Sequence, residues 1–517
     1  MSIVITFFPD MYVDSVVQLS GMRAMREIEG VTWASAAMAT PANLATLKEQ
    51  GVDAADLVGK GANDFFLIVI AASDDLAHEA LEAGRSAVFS SSESAVGPAT
   101  EAPIRSLRDA LIRQPDSNVA VVSVPGEYAT LAAYQSLARG LHVLLFSDNV
   151  PLEKEIELKK FARSKGLLVM GPGAGTALLG GGALGFANVV RPGRVGVVAA
   201  AGTGAQEVMS LLDRWGAGVR VVIGLGGRDL HEEVGGIMAQ SAIAALRDDP
   251  DVDVILFVSK PPAESVATSV LAVAEPGPGA DTPIVAALIG LPSTFAAPRG
   301  VVMADSLESG VVATMRKLGL DAPDTTVISG PTVEQVCERL APERTLVRGL
   351  FSGGTLCYES QVLLGRVLGK VWSNVPIDPE LGLPAPHGSH QCLDLGEEEY
   401  TKGRPHPMID PEARVALLRE HGQDPQVAAI ILDVVLGHGA NADPAGVFAP
   451  VCQEVMADGG PQIIAYVLGT DQDPQGFADQ REQLVRAGCL VTETAARASL
   501  AAAAIATRDA SLLRLAL

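Results

Sequence analysis

Hydrophobic and polar positions from residue 104 onward alternate between short aliphatic runs and longer amphipathic stretches. The runs VAVVSV, LHVLLFS and LLVMG are separated by polar turns and by stretches such as LEKEIELKKFARSKG, in which apolar residues recur at helical spacing. Strands that are apolar on both faces and alternate with helices are typical of parallel sheets with right-handed crossovers. The pattern therefore predicts an α/β fold for this part of the chain.

The second half of the chain repeats the order of elements found in the middle. One segment runs through VGVVAA, GTGAQEV, VRVVIGLGG, EVGGIMAQSAIAALRDD, DVDVILFVS and PIVAALIG. The other runs through LVRGLFS, GGTLCYES, CLDLGEEEY, DPEARVALLREHG, VAAIILDVVLG and QIIAYVLG. We predict a duplicated flavodoxin-like domain with a repeat of about 150 residues.

The length of the chain and its N-terminal pattern predict further domains. At 517 residues the chain is too long for one hydrophobic core. Its first 90 or so residues contain two βα units with a strand between them, which predicts a small α+β domain of ACT or ferredoxin type, and SSSESAVGPATEAP has the composition of a linker. The predicted domains span residues 1–92, 104–192, 193–325 and 340–517.

Composition and charge exclude several functions. Hydrophobic residues make up 48% of the chain and aromatic residues only 4%, so the cores must be built from aliphatic side chains. A formal net charge of −23 repels phosphate backbones, and nucleic-acid binding is not expected. The five cysteines show no CxxC spacing, which predicts free thiols in a reducing compartment. Without a basic N-terminal flank or a membrane-length apolar run, we expect a cytoplasmic protein that does not contact membranes.

Two glycine turns, Gly202–Thr203–Gly204 and Gly353–Gly354–Thr355, are the first candidates for a binding site. A strand that turns directly into a helix leaves the first N–H groups of that helix pointing outward, where they bind anions. The glycines can instead serve close packing, and the threonines can donate a hydroxyl group or cap their helices. Because the turn occurs in both repeats, we predict that the pair holds one phosphoryl group.

Charged residues at other strand ends extend the candidate site. Gly226, Gly227 and Arg228 follow the strand VRVVIGL, and the arginine fork suits a carboxylate or a phosphate. A solvated loop arginine is the alternative. Lys260 ends an apolar strand, where a lysine needs a partner. We predict catalytic roles for Arg228 and Lys260, with the two glycines binding substrate.

The densest polar stretch, HGSHQCLDLGEEEYTKGRPHPMIDP, supplies Arg404 and His406 as candidate substrate contacts, with His406 also a candidate catalytic residue. Its HxxH spacing lacks the helical HExxH pattern, so no metal site is predicted. The alternative is a long acidic surface loop. Asp433 and His438, in LDVVLGHGANAD, sit at the end of another strand and are candidates for binding substrate or protonating the leaving group, although His438 also fits a structural role.

The order of these elements resembles the succinyl-CoA synthetase superfamily, and nearly the whole chain resembles the FdrA family. The resemblance rests on FSDNVPLEKEIELK, KGLLVMGP, AGTGAQE, IGLGGRDL, VSKPPAE and YTKGRPHPMIDP. It implies a Rossmann-like CoA-binding-type domain at residues 104–192. It also implies two flavodoxin-like ligase domains, α-like at 193–325 and β-like at 340–517, behind the small N-terminal α+β domain.

The FdrA resemblance also implies a function. It indicates a subunit of an oxamate carbamoyltransferase in ureide and allantoin catabolism, which exchanges carbamoyl phosphate and oxamate with oxalurate and phosphate. Such an enzyme requires no cofactor, acts with companion subunits and is expected to form a homo- or hetero-oligomer. In this scheme the amide nitrogen of oxamate attacks carbamoyl phosphate while the two glycine turns hold the leaving phosphate.

Departures from the synthetases keep two alternatives open. The synthetases phosphorylate a histidine in a Gly-His-Ala-Gly loop, whereas the corresponding stretch LPSTFAAPRGVVMADSLESG contains no histidine. An ATP-grasp domain is not expected, and Gly173 and Ala174 replace the polar residues of the synthetase loop. One alternative is an acyl-CoA synthetase or CoA-transferase-like protein that binds CoA through residues 116–190. The other is a non-catalytic scaffold or regulatory subunit.

Overall fold

The computed structural model describes residues 2–11, 13, 15–61, 63–93, 104–273, 282–292, 294–401 and 405–517. These residues form two compact units. One comprises Met1–Arg105 and Glu398–His406, and the other comprises Ser106–Glu397 and Pro407–Leu517.

The first unit is a three-stranded antiparallel sheet, in the order β1-β3-β2, with helices on both faces. Its central strand is buried along its whole length because Met25 and Ala77 pack on one face and Leu47 and Leu57 on the other. The small α+β domain predicted from the sequence is therefore confirmed. Its elements are β1 (Ser2–Phe8), α1 (Ser15–Arg26), β2 (Val31–Met38), α2 (Pro41–Glu49), β3 (Phe65–Ala71) and α3 (Asp74–Glu93).

The second unit begins with a short parallel sheet in the order β4-β5-β6. Its helix α6 carries Glu153 and Glu155 in the first turn and Arg163 in the last, which complements the helix dipole. The elements are α4 (Leu107–Arg113), β4 (Val119–Val122), α5 (Gly126–Ala138), β5 (His142–Leu145), α6 (Leu152–Ser164) and β6 (Val169–Met170).

A seven-stranded sheet follows, in the order β13-β12-β11-β9-β10-β7-β8. Strands β9 to β13 are parallel, and the hairpin β7–β8 adds an antiparallel edge to β10. The strands are β7 (Thr176–Leu179), β8 (Gly182–Gly185), β9 (Pro192–Ala200), β10 (Val219–Gly224), β11 (Val254–Ser259), β12 (Ile284–Leu288) and β13 (Val301–Met303). The helices are α7 (Gly202–Arg214), α8 (Ile237–Arg247), α9 (Glu264–Ala272) and α10 (Leu307–Lys317).

A second seven-stranded sheet has the order β14-β20-β19-β18-β15-β17-β16, with an antiparallel edge at β14. The strands are β14 (Ile328–Ser329), β15 (Leu346–Phe351), β16 (Val371–Ser373), β17 (His390–Asp394), β18 (Val427–Val435), β19 (Gln462–Leu468) and β20 (Leu490–Thr492). The helices are α11 (Val333–Arg339), α12 (Gly354–Leu368), α13 (Glu398–Thr401), α14 (Glu412–Gly422), α15 (Pro444–Met456), α16 (Phe477–Arg486) and α17 (Ala495–Thr507). The element α13 belongs to the first compact unit.

The two large sheets share one strand order, which confirms the predicted duplication. The strand before each glycine turn is numbered 1. The flavodoxin order 2-1-3-4-5 then describes both β10-β9-β11-β12-β13 and β17-β15-β18-β19-β20. One apolar core contains residues of both sheets. Buried hydrogen bonds join the two halves as well: Tyr466 donates to Glu207 at 2.5 Å, and Arg497 pairs with Glu308 at 2.6 Å.

The structure differs from the sequence prediction in three places. Strands β7 and β8, predicted within the 104–192 domain, join the following sheet through Leu178 and Val222. Strand β14, which lies between the predicted domains 193–325 and 340–517, joins the second large sheet. Helix α8 begins only after Gly236, because Gly235 and Gly236 both have positive φ, so the preceding EVGG segment is a turn. Among the described residues, no helix combines the length and apolar character needed to cross a membrane.

Candidate functional site

The two glycine turns lie at equivalent points of the two large sheets. In a 2-1-3-4-5 sheet, the connections that leave strands 1 and 3 run in opposite directions, and a crevice opens at the carboxyl ends of these two strands. The turn at Gly202 follows β9, and Lys260 follows the neighbouring strand β11. The turn at Gly354 follows β15 in the second sheet. Both turns therefore occupy the ligand-binding position of their fold.

The two turns touch each other in a reciprocal way. A Cβ atom on Gly353 would overlap Thr203, and one on Gly204 would lie 2.7 Å from Thr355 Cγ2. Both threonines are buried. Gly204 and Gly353 are therefore glycines because the two helix ends approach so closely, which is the packing role left open by the sequence. Gly202 differs, since it is exposed and nothing lies within 4 Å of a Cβ placed on it.

Both helices begin without a side-chain cap. The N-cap residues are Ala201 for α7 and Gly353 for α12, and neither supplies a side-chain hydrogen bond. The first N–H groups of the two helices are thus left for a ligand or for water. Two buried hydroxyl groups close to these turns, Thr355 Oγ1 and Ser259 Oγ, have no hydrogen-bond partner in the part of the chain that the structure describes. In the register of β11 and β9, Ser259 lies beside Ala200, the last residue of β9 before the turn.

Lys260 and Asp394 flank Gly354 at the start of α12. A Cβ on Gly354 would lie 2.6 Å from Lys260 Nζ and 2.6 Å from Asp394 Oδ2. Lys260 thus extends from the first large sheet to the helix of the second. Its Nζ also lies 3.9 Å from Glu397 Oε1 and 5.6 Å from the centre of the Tyr358 ring. An ammonium group at a positive helix end is electrostatically unfavourable unless anions surround it.

Asp394 is one of those anions, and it is held rigidly. It ends β17, its backbone exchanges two hydrogen bonds of 2.9 Å with the Asn374 side chain, and its Oδ1 accepts from Gly396 N at 2.9 Å. The pKa of Asp394 is raised to about 7, mainly by burial; the carboxylate of Glu397 acts in the same direction, and Lys260 acts in the opposite direction. The carboxyl group next to Lys260 therefore titrates near neutral pH.

A buried ion pair supports the turn at Gly353. Ser352, the residue before it, donates its N–H and its hydroxyl group to the carboxylate of Asp433, at 2.9–3.1 Å. Arg414 pairs with the same carboxylate at 2.5 Å and also donates to Leu350 O at 2.8 Å. Both charged side chains are almost completely buried. Asp433, a predicted substrate contact, is thus occupied in holding this turn.

Arg228 and the glycines before it connect the small parallel sheet to the first large sheet. Arg228 pairs with the buried Glu155 at 2.8 Å and donates to Val150 O at 2.8 Å. Glu155 also pairs with the buried Lys159, which binds Asp229 at 2.8 Å as well. The guanidinium group predicted to bind substrate is therefore engaged in a structural ion pair.

The remaining predicted residues of the second compact unit are Gly226, Gly227 and His438. Gly226 packs on the backbone of Gly171 and Pro172, whereas a Cβ on Gly227 would lie 4.0 Å from Lys260 Cδ. His438 is exposed, and its backbone N–H donates to Ala187 O at 2.8 Å. His406 belongs to the first compact unit. Arg404 lies outside the described residues.

Sequence analysis did not include Asp394, Glu397 or Tyr358 among the site residues. The signal for Asp394 is present in the sequence, because it ends the buried strand CLD directly before a glycine-containing turn. A carboxylate at the carboxyl end of a parallel strand lies at the ligand edge of the sheet. The close approach of Asp394 to Gly354, at the start of α12, could not be predicted from the spacing of residues along the sequence.

Three family models match the chain. The model of the CoA-ligase family matches residues 350–505, and that of a CoA binding domain matches residues 190–279. The second range lies mostly within the segment that we predicted as an α-like ligase domain and overlaps the predicted 104–192 segment only at residues 190–192. A model described as AllF, heavy metal-associated domain matches residues 1–103.

The N-terminal residues lack the thiolate ligands that soft metal ions favour. All five cysteines of the chain lie beyond residue 336, so residues 1–103 contain no thiolate ligand. The described residues also contain no group of three or more His, Cys, Asp or Glu side chains placed to hold a metal.

Comparison with solved structures matches the chain, at low similarity, to an acetyl-coenzyme A synthetase and an ATP citrate lyase. The dinucleotide-forming acetyl-coenzyme A synthetase 1 of Ca. Korarchaeum cryptofilum, in complex with phosphate and ADP, is 15% identical over 77% of this chain and 85% of its own, with a TM-score of 0.30. ATP citrate lyase from Methanothrix soehngenii is 18% identical over 42% of this chain and 38% of its own, with a TM-score of 0.31. These likenesses are too low to carry a functional argument.

Curated relatives agree with the family models. The succinate–CoA ligase α subunit of Methanothermobacter thermautotrophicus is 26% identical over 28% of this chain, and the sulfoacetate-CoA ligase subunit SauD of Bilophila wadsworthia is 26% identical over 29%. These matches span about half the length of either subunit. The uncharacterized protein YahF of Escherichia coli K12 is 37% identical over 511 residues, which cover 97% of this chain and 98% of YahF. The chain therefore belongs to the family of YahF, a succinyl-CoA synthetase-like family with CoA-binding and CoA-ligase domains.

Proposed function

We propose that the chain holds the phosphoryl group of an acyl phosphate between the starts of α7 and α12, and that it transfers the acyl group between this phosphate and an acceptor. The CoA thiol is the acceptor that the CoA-ligase family favours. The single observation that carries the proposal is the meeting of two uncapped helix ends with Lys260 at Gly354.

The electrostatics of this arrangement suit a dianion. Each helix end stabilises a negative charge by about 0.3–2 kcal/mol, and two ends act on the same group. Lys260 adds a full positive charge, and charge-assisted hydrogen bonds to an ammonium group are stronger than neutral ones. Thr355 Oγ1 adds a buried hydroxyl group. Together these groups bind a phosphoryl group without a phosphorylated histidine.

The same groups stabilise the charge that develops in the reaction. As the acceptor attacks the acyl carbon, the bond between that carbon and the phosphate oxygen breaks, and the phosphate leaves with the electron pair. The helix ends and Lys260 face this developing charge before the reaction begins, which lowers the barrier. Bound CoA supplies the thiol that accepts the acyl group.

Residues of the small parallel sheet fit the binding of CoA. The loops after β4, β5 and β6 converge at one edge, since Ser147 Oγ donates to Val124 O at 2.5 Å and Gly173 N donates to Ser147 O at 3.0 Å. Ligands of parallel sheets bind at this edge. Val124 and Tyr128 are exposed there, at 41% and 61%, and α5 begins without a side-chain cap. These loops are the proposed place of the nucleotide part of CoA.

Carbamoyl transfer is the second candidate. It uses the same phosphate site but an amide acceptor such as oxamate, with oxalurate as the product. The stretch that corresponds to the synthetases' phosphohistidine loop contains no histidine, and direct carbamoyl transfer needs none. Under this second candidate, the chain acts with companion subunits in an oligomeric assembly and is located in the cytoplasm.

Transfer assays with two donors and two acceptors test the proposal. The purified chain is incubated with acetyl phosphate or carbamoyl phosphate, together with CoA or oxamate, and phosphate release and products are measured. Thioester formation supports CoA-ligase-type transfer, and oxalurate formation supports carbamoyl transfer. Lys260→Met should lower either rate at least tenfold, whereas Lys370→Met, an exposed change beyond the far end of α12, should not. Equal rates in both variants would contradict the proposal.

A further inference from the structure

The groups that face Gly354 divide into donors and proton acceptors. The helix N–H groups and the Lys260 ammonium donate hydrogen bonds, so they hold an anion but cannot take a proton. A thiol or an amide nitrogen that attacks an acyl carbon must lose its proton. A transfer site of this kind therefore needs a base beside the donors, and the structure places the carboxylates of Asp394 and Glu397 there.

Of these two carboxylates, Asp394 has the geometry of the base. Its Oδ2 would lie 2.6 Å from a Cβ on Gly354, directly at the start of α12, whereas Glu397 lies 3.9 Å from Lys260 and its side chain is 42% exposed. Hydrogen bonds from Asn374 and Gly396 fix the backbone and the other oxygen of Asp394. We propose that Asp394 accepts the proton that the acceptor loses as it attacks the acyl phosphate, an inference that rests on the proposed function.

The proton balance is complete with the groups present. The acceptor's proton moves to Asp394 Oδ2 while the new bond to the acyl carbon forms. The leaving phosphate departs with the electron pair of the broken bond, and Asp394 then returns the proton to the phosphate or to water. No oxidant or further reactant is needed.

The surroundings of Asp394 set the pH at which it can act. Burial raises its pKa to about 7, so the carboxylate form is populated near neutral pH. The titratable and charged groups that act on it are Lys260 after β11, Glu397 after β17, Asp433 on β18, and Cys357 and Tyr358 on α12. A dianion bound next to Asp394 raises its pKa further, because like charges disfavour the ionised form.

This coupling gives a test that does not depend on the acceptor. Binding of sulfate, a dianion that does not titrate near pH 8, is measured by calorimetry in two buffers of different ionisation enthalpy. The wild type should take up a fraction of a proton for each sulfate at pH 8, with part of Asp394 still ionised, whereas Asp394→Asn should bind sulfate at least as tightly and take up none. Glu397→Gln should retain the uptake, and Asp479→Asn, which removes an exposed carboxylate, serves as the control.

The outcomes separate the two proposals. Absence of sulfate binding to the wild type would overturn the phosphoryl site, and the base role with it. Sulfate binding with the same proton uptake in Asp394→Asn as in the wild type would overturn the base role alone. Loss of the proton uptake in Glu397→Gln but not in Asp394→Asn would overturn it as well. A transfer assay adds a second readout: Asp394→Asn should lower kcat/KM about 100-fold or more and remove the fall in kcat/KM below about pH 7, and Asp394→Glu should restore part of both.

Discussion

Arg414→Met should destabilise the second large sheet strongly. Arg414 is 2% exposed, and its NH2 group donates to Asp433 Oδ1 at 2.5 Å, to Asp433 O at 2.6 Å and to Leu350 O at 2.8 Å. Removing one partner of a buried ion pair leaves the other charge uncompensated and costs about 3–5 kcal/mol. The loss is not only local, because the same carboxylate holds Ser352 and thereby the turn at Gly353.

The neighbouring Arg419 provides a matched control on the same helix. Arg419 pairs with Glu454 at 3.0 Å, but the two side chains are 49% and 57% exposed, and such surface pairs contribute about 0–1 kcal/mol. Urea denaturation followed by circular dichroism should therefore show a much larger fall in unfolding free energy for Arg414→Met than for Arg419→Met. A loss below 1 kcal/mol in Arg414→Met would refute the view that this pair holds the turn. Adding Asp433→Asn to Arg414→Met should recover part of the loss, since it removes the unpaired charge.

Three further predictions concern the glycine turn, Asp394 and the cysteines. Gly354→Ala should abolish phosphate binding and lower the unfolding free energy by about 1–3 kcal/mol, because its methyl group would lie 2.6 Å from Lys260 and Asp394. Gly365→Ala has open space around it and should stabilise α12 by about 0.5–1 kcal/mol. Calorimetry measures the phosphate binding and denaturation the stability of both variants. The raised pKa of Asp394 means that ionisation disfavours the folded state, so the stability of Asp394→Asn relative to the wild type should rise between about pH 4 and pH 7. At 1.36 kcal/mol per pKa unit, the gain from 3.8 to about 7 is at most roughly 4 kcal/mol, and a pH-independent difference in melting temperature would contradict it. A thiol reagent should modify only Cys337 in the native protein and all five cysteines after unfolding, because the other four are buried; rapid native labelling of a second thiol would contradict this.

The duplicated fold was accessible from the sequence because each element carries its own pattern. A buried parallel strand reads as an aliphatic run and a crossover helix as an amphipathic one, so both copies of the 2-1-3-4-5 order could be aligned. The glycine turns were found for the same reason, since they follow these strands directly. The hairpin β7–β8 and its pairing with β10 were not predicted, because a short antiparallel edge carries no signal of its partner.

The site itself could be predicted only in part. Its predicted members at the helix ends and Lys260 are brought together, because all of them follow strands at the carboxyl edge of a sheet. Arg228 pairs with Glu155, which lies 73 positions away in the sequence. Asp433 pairs with Arg414, which lies 19 positions away. Local patterns do not encode such contacts, so these residues could not be distinguished from substrate contacts.

The central claim is that the two helix ends and Lys260 hold one phosphoryl group, and calorimetric titration with inorganic phosphate tests it most directly. The wild type and Lys370→Met should bind one phosphate per chain with equal affinity, and Lys260→Met should bind it at least tenfold more weakly. Equal phosphate affinity in Lys260→Met, or no binding by the wild type, would contradict the account.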